Sequence, residues 1–244
     1  SLPLASLYFS IYVLLGEFYF QNYDLALSTI GFIFIIIRLF DAFSDPIMGY
    51  ISDNFPFSFG KRKPWVFIGG SIFIFSTWML FVPIFKSVGV NYFFFWMLVS
   101  TIGWTIAYAP YYAMGAELSL DYVERSKITF YRELFTILGI ILASLLYSIS
   151  FDFDNQIIKS GISSEVGLFQ ICITSTFIFV ASIIIFLLSS NTNKKISNNQ
   201  NKNINIFEII NSLKNQELMK KLLLSHFING LANGLPPALF VFFV

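Results

Sequence analysis

The sequence predicts an all-α membrane protein, and three observations support that class: its composition, the length of its apolar stretches and the placement of its charges. The 244 residues are 56% hydrophobic and only 12% charged, whereas about 25% of a soluble domain is charged. Such a chain cannot cover itself with a polar surface in water, and its apolar content excludes disorder. A net charge of +1 leaves no nucleic-acid footprint, and a single Cys excludes a disulfide framework and a cysteine-built metal site. The expected solvent is the lipid bilayer.

Seven stretches are long and apolar enough to cross a bilayer core of about 30 Å, which takes about 20 residues of helix. Pro64 stands in the first turn of the third span, where a helix tolerates proline. Asp121 and Glu124 have the spacing of a capping box, which predicts the start of the fifth span. The expected spans are 3–22, 25–51, 64–85, 91–118, 127–151, 166–189 and 218–244.

The spans group into an expected six-helix transmembrane half at 1–189, a polar middle loop at 190–217 and the first helix of a second half at 218–244. The loop is rich in Asn, Lys and Ser and cannot bury a core of its own. Six spans, a polar loop and further helices are typical of a transporter built from two six-helix halves. We therefore expect a fragment cut at both ends, with no cleavable signal sequence.

Loop charge predicts the orientation of these spans. Eleven of the 15 Lys and Arg residues lie in or beside three loops that share one face if every span crosses once. The opposite face carries only Lys86 and Lys159. Because positive charge accumulates on the cytoplasmic side, we expect the N-terminus and the middle loop to be cytoplasmic.

The second span carries three charged residues that should not face lipid. Arg38, Asp41 and Asp45 are three and four residues apart, which puts them on one stripe of a helix, and each would be costly in the bilayer centre. Two carboxylates with the Ser44 hydroxyl beside them suit Na⁺ or a proton, and Pro46 frees a backbone carbonyl one turn back. The alternative is a structural Arg–Asp pair that holds the helices together.

The fifth span carries Arg132 on a stripe of small and polar residues that would let a solute or another helix come close. Arg132 is interpreted as a donor to a substrate hydroxyl or carboxylate, or else as the partner of an acid such as Glu133 or Glu117. Glu117 itself lies near the end of the fourth span, at the expected membrane interface.

Three further residues are candidates for contact with a solute. Glu17, in the first span, lies either on a lumen-facing stripe or at the interface as a snorkelling acid. Tyr108 and Tyr112, in the fourth span, are four residues apart and could stack against a sugar ring, or they could simply pack in the bundle.

Two blocks of sequence resemble a known family. Arg38-Leu-Phe-Asp-Ala-Phe-Ser-Asp-Pro through Asp53, with Phe59-Gly-Lys-Arg-Lys-Pro-Trp65 after it, is similar to the glycoside–pentoside–hexuronide:cation symporters. These form the melibiose-carrier branch of the major facilitator superfamily. The segment from Tyr108 to Arg132 fits the same family, and the resemblance extends over the whole chain.

The resemblance implies roles for individual residues. Asp41 and Asp45 match the cation-binding carboxylates, and Ser44 and Thr105 match the neutral oxygen ligands beside them. Arg132 matches the sugar-contacting arginine, and Tyr112 falls where a carrier of that branch has a Trp against the sugar ring. Gly49, Asp53 and Lys61 to Lys63 resemble the superfamily's cytoplasmic gating motif. Together with the residues singled out from the sequence itself, the expected substrate contacts are Arg132, Tyr108, Tyr112 and Glu17, and the expected gating and charge network is Arg38, Gly49, Asp53, Lys61, Arg62, Lys63, Glu117 and Arg125.

Two departures from the family pattern affect the substrate. An acid on the fourth helix of the sugar carriers corresponds to Tyr108 here, and their acid in the first helix corresponds to Ala5. The family also contains carriers of pentosides, uronides and, in animal relatives, lysophospholipids.

The function predicted from the sequence is cation-coupled symport of a sugar or a glycoside- or uronide-like solute by alternating access. We expect no cofactor beyond the coupling ion, Na⁺ or H⁺, and a monomer in the cytoplasmic membrane of a bacterium. The alternatives are a symporter of lipid-like, amphipathic solutes, a passive channel, and an intramembrane aspartyl protease. Protease dyads are usually formed by two facing helices, whereas these two carboxylates lie on one. The chain is therefore predicted not to be an enzyme.

Overall fold

The computed structural model describes residues 1–54, 62–84, 88–119, 121–154 and 162–188, with isolated positions at 217, 221, 224, 225 and 228. In these ranges the chain is all-α, as predicted, and residues Ser1–Ile184 form one compact unit. The polar middle loop and the seventh span lie outside the described residues apart from those isolated positions. The helices are α1 (Leu2–Val13), α2 (Leu15–Tyr23), α3 (Leu27–Asn54), α4 (Lys63–Phe81), α5 (Val90–Glu117), α6 (Tyr122–Asp154) and α7 (Ile162–Leu188).

Within the described residues, five helices, α3 to α7, are long and apolar enough to cross a membrane, and α1 with α2 makes a sixth span if the bent pair is counted as one. This agrees with the six spans predicted before the middle loop. α4 packs against α5, α1 against α6, and α3 against α5. These contacts bring polar residues of the second and fourth predicted spans to one place.

The first span is broken, which the sequence did not predict. α1 and α2 meet at Leu14 with a bend of 49°. No proline lies at the bend, and the packing of α2 accounts for its direction. The side chains of Leu15, Phe18 and Tyr19 are almost completely buried, and the Tyr19 hydroxyl donates a hydrogen bond of 2.9 Å to the carbonyl of Leu80 on α4. The bend therefore turns α2 onto the helices beside it.

Glycine allows α4 and α5 to approach closely. A Cβ atom placed on Gly103 of α5 would lie 2.6 Å from the backbone nitrogen of Phe73 on α4, and one on Gly69 of α4 would lie 2.7 Å from the carbonyl carbon of Ile106. Both distances are shorter than side-chain contacts allow, and the opposing atoms are backbone. Small residues at such crossings are typical of membrane helix pairs.

Replacing Gly103 by Leu should destabilise the bundle, because the side chain would push α4 away from α5. Gly31→Leu is the matched control, since nothing lies within 4 Å of a Cβ atom there. We expect Gly103→Leu to lower stability by about 2 kcal/mol or more relative to the control, a drop of about 4 °C or more in unfolding temperature. Thermal unfolding in detergent measures the difference, and equal unfolding temperatures would contradict the close packing.

Polar contacts also join the helices. The Ser6 and Ser175 hydroxyls share a hydrogen bond of 2.7 Å between α1 and α7, both fully buried. The Trp78 indole N–H donates to the Thr176 hydroxyl at 2.9 Å, joining α4 to α7. In a bilayer such bonds hold helices together where the hydrophobic effect between them is weak.

The start of α6 differs in detail from the predicted capping box. The Asp121 carboxylate accepts a hydrogen bond from the backbone N–H of Val123 at 3.3 Å and so caps the helix. Glu124 does not return to the N–H of Asp121. That N–H donates to the Ser119 hydroxyl at 3.1 Å, and the same hydroxyl donates to the Glu124 carboxylate. Ser119 thus replaces Glu124 in the reciprocal half of the box.

Candidate functional site

The charged stripe of α3 is partly exposed and partly packed against α5. The side chain of Asp41 is 13% exposed and that of Arg38 is 45% exposed, while Asp45, one turn further along, is exposed. A carboxylate in a membrane span is stable only where it meets water or a partner. This face of α3 therefore belongs to a wet interior or to a contact with another part of the protein.

Four of the predicted cation-site residues are brought together between α3 and α5. Thr105 is 2% exposed and its hydroxyl oxygen lies 3.5 Å from that of Ser44. The Thr105 side chain lies near enough to the carboxyl groups of both Asp41 and Asp45 to act on them electrostatically. The cluster offers only oxygen atoms, from two carboxylates and two hydroxyls, which is the donor chemistry that hard cations prefer.

Asp41 is not neutralised by a close ion pair. The Arg38 Nη1 atom lies 3.7 Å from Asp41 Oδ2, beyond ordinary hydrogen-bond distance. The other oxygen, Oδ1, is buried and has no hydrogen-bond partner among the described residues. A buried acceptor without a donor is unfavourable, so a bound cation or proton at this oxygen would stabilise the site.

Arg38 is held mainly by aromatic residues of α1. Its Nη1 atom donates a hydrogen bond of 2.8 Å to the Tyr8 hydroxyl, and its guanidinium carbon lies 4.2 Å from the ring centroid of Tyr12. The structural Arg–Asp pair that the sequence left open is therefore present only as a long contact. Arg38 links the carboxylate of Asp41 to a series of aromatic rings.

That series, called here the aromatic ladder, consists of Tyr12, Tyr8, Trp104, Tyr108 and Tyr112. Consecutive rings have centroids 4.6, 4.3, 4.5 and 4.1 Å apart. Trp104 is stacked on both neighbours, at interplanar angles of 28° and 22°. The rings are half-buried and join α1 to α5 as a continuous aromatic surface. Such a surface can stack against the apolar face of a ring-shaped solute.

Arg132 lies at the opposite end of the ladder from Arg38. Its guanidinium carbon is 3.7 Å from the Tyr112 ring centroid, a cation–π distance. Its Nη2 atom also donates to Glu133 Oε1 at 3.1 Å, and the Tyr112 hydroxyl donates to the same oxygen at 3.4 Å. The pairing of Arg132 with Glu133 that the sequence left open is thus observed, and the guanidinium also lies over the Tyr112 ring.

Glu17 is not brought to this ladder. Its carboxylate accepts a hydrogen bond of 2.9 Å from the Gln21 side chain on α2, and no contact with Arg132, Tyr108 or Tyr112 is present in the described part of the chain. The bend at Leu14 separates Glu17 from the ladder-forming residues of α1. Ala5, which corresponds to an acid in the sugar carriers, is buried and packs against the position of Gly139 on α6.

Apart from Arg38, which contacts α1, the predicted gating residues that the structure describes lie near the α3–α4 and α5–α6 connections. Arg62 Nη2 lies 2.6 Å from Asp53 Oδ1, and Arg125 Nε donates to the Ser119 carbonyl at 2.6 Å. Gly49 faces open space, and Lys63 begins α4. Lys61 and the side chain of Glu117 lie outside the described residues.

Three residues of this region were not predicted from the sequence, and a fourth was predicted in a narrower role. Tyr8, Tyr12 and Trp104 belong to the ladder, and Glu133 was considered only as a partner for Arg132. A signal was present, because Tyr8 and Tyr12 are four residues apart and Trp104, Tyr108 and Tyr112 continue the same spacing. In a chain that is 19% aromatic, this spacing occurs too readily to identify a surface without the packing.

Comparison with known proteins gives a consistent result. A family described as MFS/sugar transport proteins matches residues 2–244. An uncharacterised symporter of Synechocystis is 32% identical over 126 residues, which cover 48% of this chain and 23% of that protein. The lactose permease of Lactobacillus helveticus is 31% identical over 135 residues, 52% of this chain and 21% of the permease. The isoprimeverose transporter of Lactiplantibacillus pentosus is 25% identical over 190 residues, 76% of this chain and 38% of the transporter. The matched segments thus cover well under half of each relative.

Proposed function

Because the chain belongs to the glycoside–pentoside–hexuronide:cation symporter family of the major facilitator superfamily, a family of membrane transporters and not of enzymes, we propose that it carries out cation-coupled symport of a sugar or a glycoside- or uronide-like solute. The coupling ion is Na⁺ or H⁺, and the protein works in the cytoplasmic membrane of a bacterium with its N-terminus inside. The observation that carries this proposal is the oxygen cluster between α3 and α5, where Asp41 Oδ1 is buried without a partner among the residues that the structure describes.

The cation binds at the carboxyl groups of Asp41 and Asp45, with the hydroxyls of Ser44 and Thr105 as neutral ligands. Binding cancels negative charge on the α3 stripe, so the stripe can pass from a wet state to an occluded one at lower electrostatic penalty. A ligand shifts such an equilibrium by its differential affinity for the two states. The cation therefore favours closure of the transporter around its solute, as alternating access requires.

The solute binds on the aromatic ladder, near Arg132 and Glu133. The ring faces of Tyr108 and Tyr112 stack on the apolar face of a sugar. Arg132 donates hydrogen bonds to hydroxyl or carboxylate oxygens, and Glu133 accepts them from hydroxyls. Tyr108 stands where the galactoside carriers that the sequence resembles have an acid. This end of the ladder is therefore less acidic than the corresponding site of those carriers, which favours a uronide or a less hydroxylated glycoside as the solute.

Arg38 couples the two sites. It lies 3.7 Å from Asp41 Oδ2 and 2.8 Å from the Tyr8 hydroxyl, so it takes part in both the cation cluster and the ladder. A cation on Asp41 weakens the attraction of that carboxylate for Arg38. The guanidinium then interacts more strongly with Tyr8 and Tyr12, which changes the surface that the solute meets.

The energy for accumulation is available without ATP. One elementary charge moving through 100 mV supplies about 2.3 kcal/mol. Since a tenfold concentration ratio corresponds to about 1.4 kcal/mol, one cation per solute supports a ratio of several tens. A cation gradient across the membrane adds to that.

The test is gradient-driven accumulation by the complete transporter in membrane vesicles. Labelled pentosides, hexosides and uronides are each offered with an inward Na⁺ gradient, with an inward proton gradient and with neither. We expect at least one solute to accumulate above its outside concentration under one gradient, and the accumulation to collapse when an ionophore removes it. Uptake that never exceeds equilibrium, or ion currents far faster than solute flux, would overturn symport and favour a channel.

A further inference from the structure

A second oxygen-lined position lies beside the cluster just described. A pocket between α1, α3, α4 and α5 is lined by Asp41, Ser100 and Thr101, with the rings of Tyr8, Tyr12 and Trp104 among its walls. Ser100 is 2% exposed and Thr101 is 5% exposed. Neither hydroxyl makes a hydrogen bond to any residue that the structure describes, although buried hydroxyls are normally paired. The buried Oδ1 atom of Asp41 also has no hydrogen-bond partner within the described residues.

The pocket is one helical turn away from the first cluster. α4 crosses once between α3 and α5, so α3 and α5 run in the same direction. Thr101 precedes Thr105 by four residues, as Asp41 precedes Asp45. Four residues of helix rise by about 6 Å, so Thr101 and Thr105 lie at two different levels along α5. Asp41 contributes to the oxygen groups at both levels.

The chemistry of the pocket suits a small monovalent cation. It offers one carboxylate oxygen and two hydroxyl oxygens, all hard donors. Arg38, 3.7 Å from the other oxygen of Asp41, adds a positive charge that opposes a divalent ion. Aromatic and apolar walls leave no other charged group among the residues that line it.

We propose that this pocket is a second station for the coupling cation, formed by Asp41 Oδ1, Ser100 and Thr101, from which the ion moves past Asp41 to the level of Asp45 and Thr105. This inference rests on the proposed cation-coupled transport. It assigns a role to Ser100 and Thr101, which lie outside the ligand set that the family resemblance implies. The probe ion is Na⁺, with Li⁺ as its smaller analogue.

The test compares Thr101→Val, which keeps the shape of the side chain and removes the oxygen, with Thr77→Val. Thr77 is equally buried, but its hydroxyl donates to the carbonyl of Phe73 in its own helix at 2.7 Å. Solute uptake by the complete transporter is measured as a function of Na⁺ and Li⁺ concentration. We expect Thr101→Val to raise the half-saturating Na⁺ concentration about tenfold, equivalent to about 1.4 kcal/mol, and Thr77→Val to leave it near the native value.

Two further variants keep the test independent of folding. Ser100→Ala should shift Na⁺ activation in the same direction, and Thr101→Ser, which restores the oxygen, should return the curve towards the native one. Na⁺ curves of Thr101→Val and Ser100→Ala that match Thr77→Val would overturn the second station. So would a native protein that responds to protons but to neither Na⁺ nor Li⁺. In both cases gradient-driven accumulation would still support symport, whereas its absence would remove the proposed function itself.

Discussion

Asp45→Asn should abolish cation-driven accumulation while leaving exchange of solute across the membrane partly intact. Asparagine keeps the shape of the side chain, but it carries no charge to attract a cation and no group that takes up a proton at physiological pH. Asp45 is the exposed member of the pair, so the substitution leaves no buried group without its partner. We expect the accumulation ratio to fall by at least about tenfold, a loss of about 1.4 kcal/mol or more of the driving energy. Counterflow from preloaded vesicles, which needs no net cation movement, should persist.

Asp24→Asn is the matched control for this substitution. Asp24 ends α2 with φ of 52°, a left-handed conformation that asparagine also adopts readily. The control removes one negative charge from the same chain without touching the cluster, and it should accumulate solute like the native protein. Undiminished accumulation by Asp45→Asn would remove the assignment of the cation site to α3.

Trp104→Leu should weaken solute binding more than any other single change in the ladder, because Trp104 is stacked between Tyr8 and Tyr108. Leucine keeps an apolar side chain at this position but provides no flat aromatic face. Aromatic stacking is worth about 0.5–1.5 kcal/mol beyond the area buried, and the neighbouring rings lose their support as well. We expect the half-saturating solute concentration to rise about tenfold or more, by a larger factor than any change in the half-saturating cation concentration.

Trp96→Leu on the same helix is the control for lost aromatic volume. Its ring contacts Phe75, Tyr92 and Phe95 and has no contact with the ladder among the described residues. Uptake at a series of solute concentrations, together with unfolding temperature in detergent, separates loss of binding from loss of fold. If Trp104→Leu and Trp96→Leu raise the half-saturating solute concentration equally, the ladder is not the binding surface.

Together, the two predictions test whether cation binding and solute binding depend on different residues. Asp45→Asn should change the response to the cation gradient, and Trp104→Leu the response to solute concentration. Arg38 donates to the Tyr8 hydroxyl of the ladder and lies 3.7 Å from Asp41 Oδ2. A substitution there should affect both responses, as expected of a residue that couples the two sites.

Much of the fold could be predicted without coordinates, because the bilayer restricts what a chain can do. Apolar stretches of span length have to be helices, since every backbone polar group must be paired inside the stretch. The same restriction made Arg38, Asp41 and Asp45 conspicuous, because charge in a span is rare and costly. Their shared stripe follows from helical periodicity alone, and the structure places the three on one side of α3.

The sequence could not predict which helices meet. The bend at Leu14 comes from the burial of Leu15, Phe18 and Tyr19 against neighbours that are distant in the chain, so no local pattern marks it. Glu17 was predicted to lie on a lumen-facing stripe of an unbroken first span or at the interface, and the bend separates it from the ladder residues of α1. Ser119 was missed because the capping-box pattern assigns the backbone N–H of Asp121 to the Glu124 side chain. In the structure that N–H donates to the Ser119 hydroxyl, which precedes the capping residue.

The sequence by itself determined that the chain is a bundle of membrane helices, that α3 carries a stripe of charge, and which family it resembles, since each of these depends on composition or on spacing within one helix. Only the tertiary structure decided that Asp41 comes near Thr105, that it lines a pocket with Ser100 and Thr101, and that five aromatic rings from α1 and α5 form one surface between two arginines. The physical reason is that these contacts join residues far apart in the chain. Their distances depend on how closely the helices pack, as at Gly69 and Gly103, and periodicity within one helix carries no information about its neighbour.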